Sequence, residues 1–200
     1  MKKVKIAVGV IAIIIISFIY AHISKANMIY DKNVDNSEYL STGVVYEGEI
    51  QQSFLCNEDF LDAIQVRTQV FGDVSEMQVE YRLLDGETEQ VLASGTVNSD
   101  EIESSRFYEF NFDRIENTNG KEYIFELKNI GAKENQGIGF YFQPAIEDNT
   151  FLVISDNKTE GTLIMKTVTN RFDVETFVIF LIFLIYIIVF MNFLYKLFNK

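Results

Sequence analysis

Two long uncharged stretches lie near the ends of the 200-residue chain, from Ile6 to Ile23 and from Thr176 to Tyr195. An α-helix rises about 1.5 Å per residue, so each stretch is long enough to cross the hydrocarbon core of a bilayer, which is about 30 Å thick. The sequence therefore predicts two transmembrane helices, with the rest of the chain held between them on one side of the membrane.

The charged residues predict which side that is. Three lysines lie within the first five residues, and two follow Tyr195. The positive-inside rule places both termini in the cytoplasm and the central domain outside the cell membrane. Residues 24–173 hold 12 basic and 28 acidic residues, a net charge of −16. Such a net charge repels the phosphate backbone of a nucleic acid, which excludes nucleic acid as a partner.

The first stretch has a second interpretation. Residues 1–5 resemble the basic region of a signal peptide, and Ser24-Lys25-Ala26 resembles a cleavage site. The apolar run is longer than the 7–15 residues typical of a signal, and Lys25 lies inside the site, so an uncleaved anchor is favoured. Both interpretations place the central domain outside the membrane.

The central domain alternates apolar and polar residues with a period of two, which is typical of half-buried β-strands. The predicted core-facing residues are Ile64, Val66, Thr68 and Val70; Val79, Tyr81 and Leu83; Tyr108, Phe110 and Phe112; Tyr123, Phe125 and Leu127; and Ile138, Phe140 and Phe142. Turn sequences such as Asp85-Gly86 and Asn119-Gly120 separate the runs. We expect an all-β ectodomain, a jelly-roll-type antiparallel β-sandwich, flanked by two transmembrane α-helices.

The predicted segments follow from these patterns. They are a cytoplasmic tip at 1–5, a transmembrane helix at 6–23, a polar tether at 24–42, an extracytoplasmic β-sandwich at 43–170, a second transmembrane helix at 174–195 and a cytoplasmic tail at 196–200.

Aromatic residues outside the core-facing runs predict a ligand site. Sugars bind by stacking an apolar face on an aromatic ring while polar groups fix the hydroxyls. Five aromatics come from segments that could be neighbours, and two of these, Phe107 and Tyr141, fall off the runs; the others are Tyr108, Tyr123 and Phe142. We expect a ligand-binding site at Tyr141 with Arg67, Arg82 or Gln143, all on predicted polar faces. Core packing remains the alternative role for strand aromatics.

Metal binding and catalysis have weaker signals. Loop carboxylates could hold a structural Ca²⁺, although they match no fixed-spacing motif and also suit a solvated surface. They are Asp59, Asp62, Asp85, Glu87, Asp100, Glu101, Glu103, Glu147 and Asp148. No catalytic motif singles out a nucleophile or a carboxylate pair, so the sequence predicts neither an enzyme nor a cofactor.

The middle of the chain resembles a known type of domain. The residues that carry the likeness are Glu49 to Phe54, Leu61 to Arg67, Tyr81 to Asp85, Phe110 to Phe112 and Asn119 to Phe125. This run resembles the extracytoplasmic, carbohydrate-binding-module-like jelly roll of bacterial glycosyltransferase-type membrane proteins. Those proteins have many transmembrane helices, so the resemblance implies a detached accessory domain and not a transferase.

These observations together predict a membrane-anchored binding domain, an accessory subunit in bacterial surface glycan assembly or recognition. The expected partners are the membrane, an envelope polysaccharide and a polytopic membrane protein. The alternative is a scaffold protein that docks on another membrane protein without a small ligand.

Overall fold

The computed structural model describes residues 2–147 and 150–199. The chain divides into two compact units. One consists of Met1–Lys25 with Asn170–Lys200, and the other is Ala26–Thr169.

β-strands make up most of the described secondary structure. In chain order they are β1 (His22–Met28), β2 (Leu40–Ser41), β3 (Ile50–Cys56), β4 (Phe60–Phe71), β5 (Gln78–Asp85), β6 (Val91–Asn98), β7 (Phe107–Glu116), β8 (Lys121–Ile130), β9 (Gly137–Gln143), β10 (Leu152–Ile154), β11 (Asn157–Thr159), β12 (Thr162–Leu163) and β13 (Met165–Phe172). Two helices, α1 (Lys2–Tyr20) and α2 (Val174–Phe198), lie at the ends.

The described strands form two mostly antiparallel sheets. The first has the order β1-β13-β4-β9-β12, with β7 paired to β4 and β2 paired to β9. The second has the order β11-β10-β3-β8-β5-β6. A shift in register between Leu61 and Ala63 marks a bulge where β4 pairs with β7.

The two sheets bury one hydrophobic core between them. Phe110 of the first sheet is fully buried, and its ring centroid lies 5.2 Å from that of Tyr81 and 5.6 Å from that of Phe125, both in the second sheet. Burying a side chain of this size contributes about 1.5–3 kcal/mol. These rings therefore hold the sheets together.

The predicted alternation is confirmed on most strands. Ile64, Val66 and Thr68 are buried on β4. The predicted core residues of β5, β8 and β9 are also buried. Tyr108 and Phe112 of β7 are only partly buried, because β7 lies at the edge of its sheet. Glu126 differs from the polar face assigned to it, since it is 4% exposed.

The described part of the helical unit contains one candidate membrane span. Helix α2 is long and apolar enough to cross a bilayer, whereas the described apolar part of α1, Val8–Tyr20, is shorter. Asp173 caps α2, and its side chain accepts a hydrogen bond of 2.8 Å from the backbone N–H of Thr176. The second predicted span is therefore present as a helix of sufficient length.

The first predicted span and the predicted tether differ from the structure. The sequence places a helix over 6–23, but α1 ends at Tyr20 and β1 begins at His22. The expected tether at 24–42 also contains most of β1, a short 3₁₀ turn at Asn36–Glu38 and β2. Backbone pairing with the first sheet orders this polar segment.

Candidate functional site

Strand β4 places Arg67 on the outer face of the first sheet, because its neighbours Val66 and Thr68 point into the core. Arg67 pairs with Phe107 on β7. On the other side, Ile164 accepts a backbone hydrogen bond of 2.9 Å from Arg67 and donates one of 2.8 Å to Tyr141. The backbone therefore sets Phe107 and Tyr141 on either side of Arg67.

The outer face is polar two residues before Arg67 on β4, at Gln65. Lys166 on β13 and Glu109 on β7 both pair with Gln65. The Gln65 amide donates a hydrogen bond of 2.8 Å to Glu109. The Lys166 ammonium lies 3.8 Å from the ring centroid of Phe107, within cation–π range.

The segment between β1 and β2 adds two aromatic rings. Ile29 and Thr42 tie the two ends of this segment to the sheet through backbone hydrogen bonds to Met165 and Phe140. Between them, the Tyr30 ring stacks on Phe107 with a centroid distance of 6.4 Å. Tyr39 follows a short 3₁₀ turn and lies edge-on to Tyr30, also at 6.4 Å.

Arg67 lies among these rings. Its guanidinium carbon is 5.2 Å from the centroid of Tyr141 and 5.6 Å from that of Tyr39. The Tyr141 hydroxyl is 3.3 Å from the hydroxyl of Ser105. We call the following six partly buried residues the outer-face cluster: Tyr30, Tyr39, Arg67, Phe107, Tyr141 and Lys166.

Burial perturbs two groups of the outer-face cluster. It lowers the pKa of Lys166, because desolvation disfavours the charged ammonium. It raises the pKa of Tyr30, an effect to which Tyr39 adds and which the Arg67 guanidinium opposes. The cluster thus combines aromatic faces with two cations.

The structure brings together two of the four predicted site residues, Tyr141 and Arg67, and separates the other two from them. Arg82 lies on the second sheet, where its guanidinium contacts Glu49 at 3.0 Å and Glu126 at 2.5 Å. Gln51 donates to the same two carboxylates, at 2.8 and 2.9 Å. Arg82 therefore belongs to a side-chain network on another sheet.

Gln143 does not lie on an open polar face, where the sequence places it. Its side chain is fully buried, and its amide donates a hydrogen bond of 3.1 Å to Glu147. Glu147 also donates its backbone N–H to the hydroxyl of Thr162 at 3.2 Å, and Thr162 pairs with Gln143 at the end of β9. The segment that follows β9 therefore folds back beside Gln143, which alternation along the strand does not predict.

Sequence reasoning missed three members of the outer-face cluster. Tyr30 and Tyr39 lie in the segment predicted to be a tether. Lys166 lies on β13, where burial does not alternate: the consecutive residues Thr167, Val168 and Thr169 are all buried. Alternation therefore does not indicate which face Lys166 occupies. The signal that could have found Tyr30 and Tyr39 is the presence of two tyrosines in an otherwise polar stretch.

The described residues contain no group of three or more side chains able to hold a metal ion. Two of the loop carboxylates have other roles. Asp62 accepts hydrogen bonds from Arg114 at 2.8 and 3.1 Å, and Asp85 accepts from the backbone of Glu87 and Thr88 in its own turn. Asp148 lies outside the described residues.

Comparison with known proteins gives distant structural matches only. No family model and no curated protein match the chain. The clostridial cysteine protease Cwp84 after propeptide cleavage is similar with a TM-score of 0.46 and 12% identity, over 74% of this chain and 40% of that one. The cysteine protease and lectin-like domains of Cwp84, a surface layer associated protein of Clostridium difficile, give a TM-score of 0.41 and 13% identity, over 68% and 37%.

A third structure, the VP2 subviral particle of infectious bursal disease virus, gives a TM-score of 0.22 and 9% identity, over 74% of this chain and 38% of that one. The chain thus spans at most 40% of the length of these three solved chains. Likeness at this level assigns no activity to the protein.

Proposed function

We propose that the protein is a membrane-anchored, extracytoplasmic glycan-binding domain, an accessory subunit in bacterial surface glycan assembly or recognition rather than an enzyme. Its sheets form a β-sandwich of jelly-roll type. The chain passes repeatedly from one sheet to the other, as in β3 to β4, β4 to β5, β6 to β7 and β7 to β8, and this is the connectivity on which a jelly roll depends.

The outer-face cluster is the observation that carries the proposal. Aromatic rings on a sheet surface offer apolar faces to pyranose rings, and cations beside them supply hydrogen-bond donors for sugar oxygens. The Tyr141 hydroxyl and Ser105 add further polar contacts at the rim.

A glycan array tests the proposal. The full chain is applied in a detergent whose head group is not a sugar, because a glycoside detergent would compete for an aromatic site. We expect binding to at least one class of envelope polysaccharide. Absence of binding to every envelope polysaccharide on an array that passes its lectin controls contradicts the proposal.

The proposed topology has both helices in the cell membrane and both termini in the cytoplasm. Helix α2 is the candidate span, and helix α1, Lys2–Tyr20, is proposed as the second. Single cysteines at Lys3, Ser37 and Asn199 test it, since the native Cys56 is fully buried. An impermeant maleimide should label Ser37→Cys in intact cells and the terminal variants only after permeabilisation. Labelling of a terminal variant in intact cells would overturn this topology.

A scaffold role without a small ligand is the second candidate, and strand β6 favours it. The second sheet ends at β6, whose sequence Val91–Asn98 carries no charged residue. Natural edge strands are commonly guarded by charges or prolines, so this edge could accept a partner strand. Val91 and Leu92 are 45% and 40% exposed and line a groove of about 490 Å³ with Phe112.

Crosslinking in cells separates the two candidates. A photocrosslinking side chain at Leu92 should capture one stoichiometric polytopic membrane protein if the scaffold role holds. The glycan-binding role requires no partner strand at β6, so failure to capture a protein from Leu92 contradicts the scaffold role and leaves glycan binding in place.

A further inference from the structure

We infer that the outer-face cluster selects an anionic sugar unit, one that carries a carboxylate or a phosphate, and that Arg67 and Lys166 bind this group. The inference rests on the proposed glycan-binding function and specifies the class of glycan. It follows from three features of the two cations: neither forms a salt bridge with a described residue, they are neighbours on one sheet face, and both are partly buried.

Arg67 differs from three other arginines of the same unit. Arg82, Arg106 and Arg114 each form a salt bridge to a carboxylate, with N–O distances of 2.5–3.0 Å. Within the described part of the chain, Arg67 has neither a salt bridge nor a side-chain hydrogen bond, and its guanidinium contacts aromatic rings instead. In a domain of net charge −16, this leaves a cation with unused donors.

Lys166 is the second such cation. Among the described residues its ammonium has no carboxylate within salt-bridge distance, and it lies over the Phe107 ring. The side chain is partly buried, and burial lowers its pKa. Holding a charge at such a site costs free energy that a bound anion would offset.

The two cations are close enough to share one ligand. Lys166 pairs with Gln65, which lies two residues from Arg67 on β4. Such diagonal neighbours in an antiparallel sheet are about 7–8 Å apart, comparable to the width of one sugar ring with its substituent. A single anionic sugar unit can therefore contact both cations.

The rings fix the geometry of the anion contact. The guanidinium carbon lies over the rings of Tyr39 and Tyr141, and the guanidinium N–H groups donate to no described residue. A planar guanidinium can bind both oxygens of a carboxylate or phosphate. Glu109 is the acidic residue that pairs with Gln65 on the same face. Its carboxylate accepts a hydrogen bond from the Gln65 amide.

Matched glycan pairs test the inference with the full chain in micelles. One pair is a cello-oligosaccharide and its form oxidised at C6 to the uronate. The other is a manno-oligosaccharide and its 6-phosphate. We expect the anionic member of at least one pair to bind about tenfold or more tightly, the effect of a charge-assisted hydrogen bond. The two pairs separate carboxylate from phosphate recognition.

Variants assign the effect to the cluster. Arg67→Gln and Lys166→Gln should each weaken binding of the anionic member about tenfold and reduce its dependence on salt, while Arg67→Lys should fall between Arg67→Gln and the wild type. The matched controls are Arg106→Gln and Lys158→Gln, which remove the same charge from exposed positions outside the cluster and should retain wild-type binding.

The outcomes distinguish a failure of the anionic-sugar inference from a failure of the proposed glycan-binding function. Equal binding within both pairs, or tighter binding of the neutral members, overturns the inference and leaves glycan binding in place. A failure of every oligosaccharide and of the full glycan array to bind contradicts the proposed function itself. If a variant does not fold by circular dichroism, the salt dependence of wild-type binding decides, since binding of an anion must weaken as salt rises.

Discussion

Replacing Arg82 by methionine should destabilise the ectodomain through Glu126. The Glu126 side chain is 4% exposed, and its Oε2 lies 2.5 Å from the Arg82 guanidinium. That oxygen is buried, so the variant removes the cation that faces it. Methionine keeps most of the side-chain length, so the main change is the lost cation.

The expected loss in free energy of unfolding is about 2–3 kcal/mol at pH 7.5. Breaking a fully buried ion pair costs about 3–5 kcal/mol. Arg82 is 36% exposed, so water can reach part of the vacated space and the cost is smaller. The exposed pair of Arg106 and Glu103 is the control, and Arg106→Met should cost less than about 0.5 kcal/mol.

The loss should also depend on pH. Burial, together with a hydrogen bond to Glu49, raises the pKa of Glu126, whereas Arg82 lowers it. Removing Arg82 therefore raises the pKa further. The folded state then holds a proton that the unfolded state has released, so stability falls as pH rises above the ordinary carboxyl range. The variant should lose less at pH 5 than at pH 7.5.

Urea unfolding of the full chain in micelles, followed by tyrosine fluorescence at both pH values, measures these effects. The double variant Arg82→Met with Glu126→Gln should recover about 1–2 kcal/mol relative to Arg82→Met, because a neutral amide is less costly to bury. A loss that does not change with pH, or a double variant no more stable than Arg82→Met, would refute this reasoning.

Three further substitutions test the core by the same unfolding assay. Phe110→Ala should cost about 3–5 kcal/mol because Phe110 joins the two sheets, and a loss under about 1 kcal/mol would contradict the shared core. Gln52→Leu should cost about 1–3 kcal/mol, since the Gln52 side chain accepts the Leu163 N–H at 2.8 Å, and an unchanged midpoint would show that water replaces it. Gly95→Ala should cost about 1–3 kcal/mol because its methyl group would collide with the Tyr81 hydroxyl, and a neutral result would mean that the ring moves freely.

Much of the fold could be predicted because the alternation of apolar and polar residues along a strand indicates which of its faces is buried. Ile64, Val66 and Thr68 are predicted and found in the core, since alternation along one strand is a local property. The pairing of distant strands is not local. Nothing in the sequence indicates that Phe107 pairs with Arg67 and that Tyr141 contacts it.

The site was only half predictable for the same reason. Tyr141 and Arg67 follow from strand alternation, whereas Arg82 shares that pattern but lies on the other sheet. Tyr30 and Tyr39 could not be placed, because their position depends on hydrogen bonds that tie the 29–42 segment to β13 and β9.

Glycan affinity of a matched pair of tyrosine variants tests the central claim most directly. Tyr141→Ser removes a ring from the outer-face cluster, and Tyr46→Ser removes one that is 51% exposed and outside the cluster. Both are titrated calorimetrically, as full chains in micelles, with the tightest glycan from the array. Loss of a stacked ring should weaken binding by Tyr141→Ser about tenfold and leave Tyr46→Ser unchanged. Wild-type affinity in Tyr141→Ser, with the fold intact, would contradict a glycan site on this face.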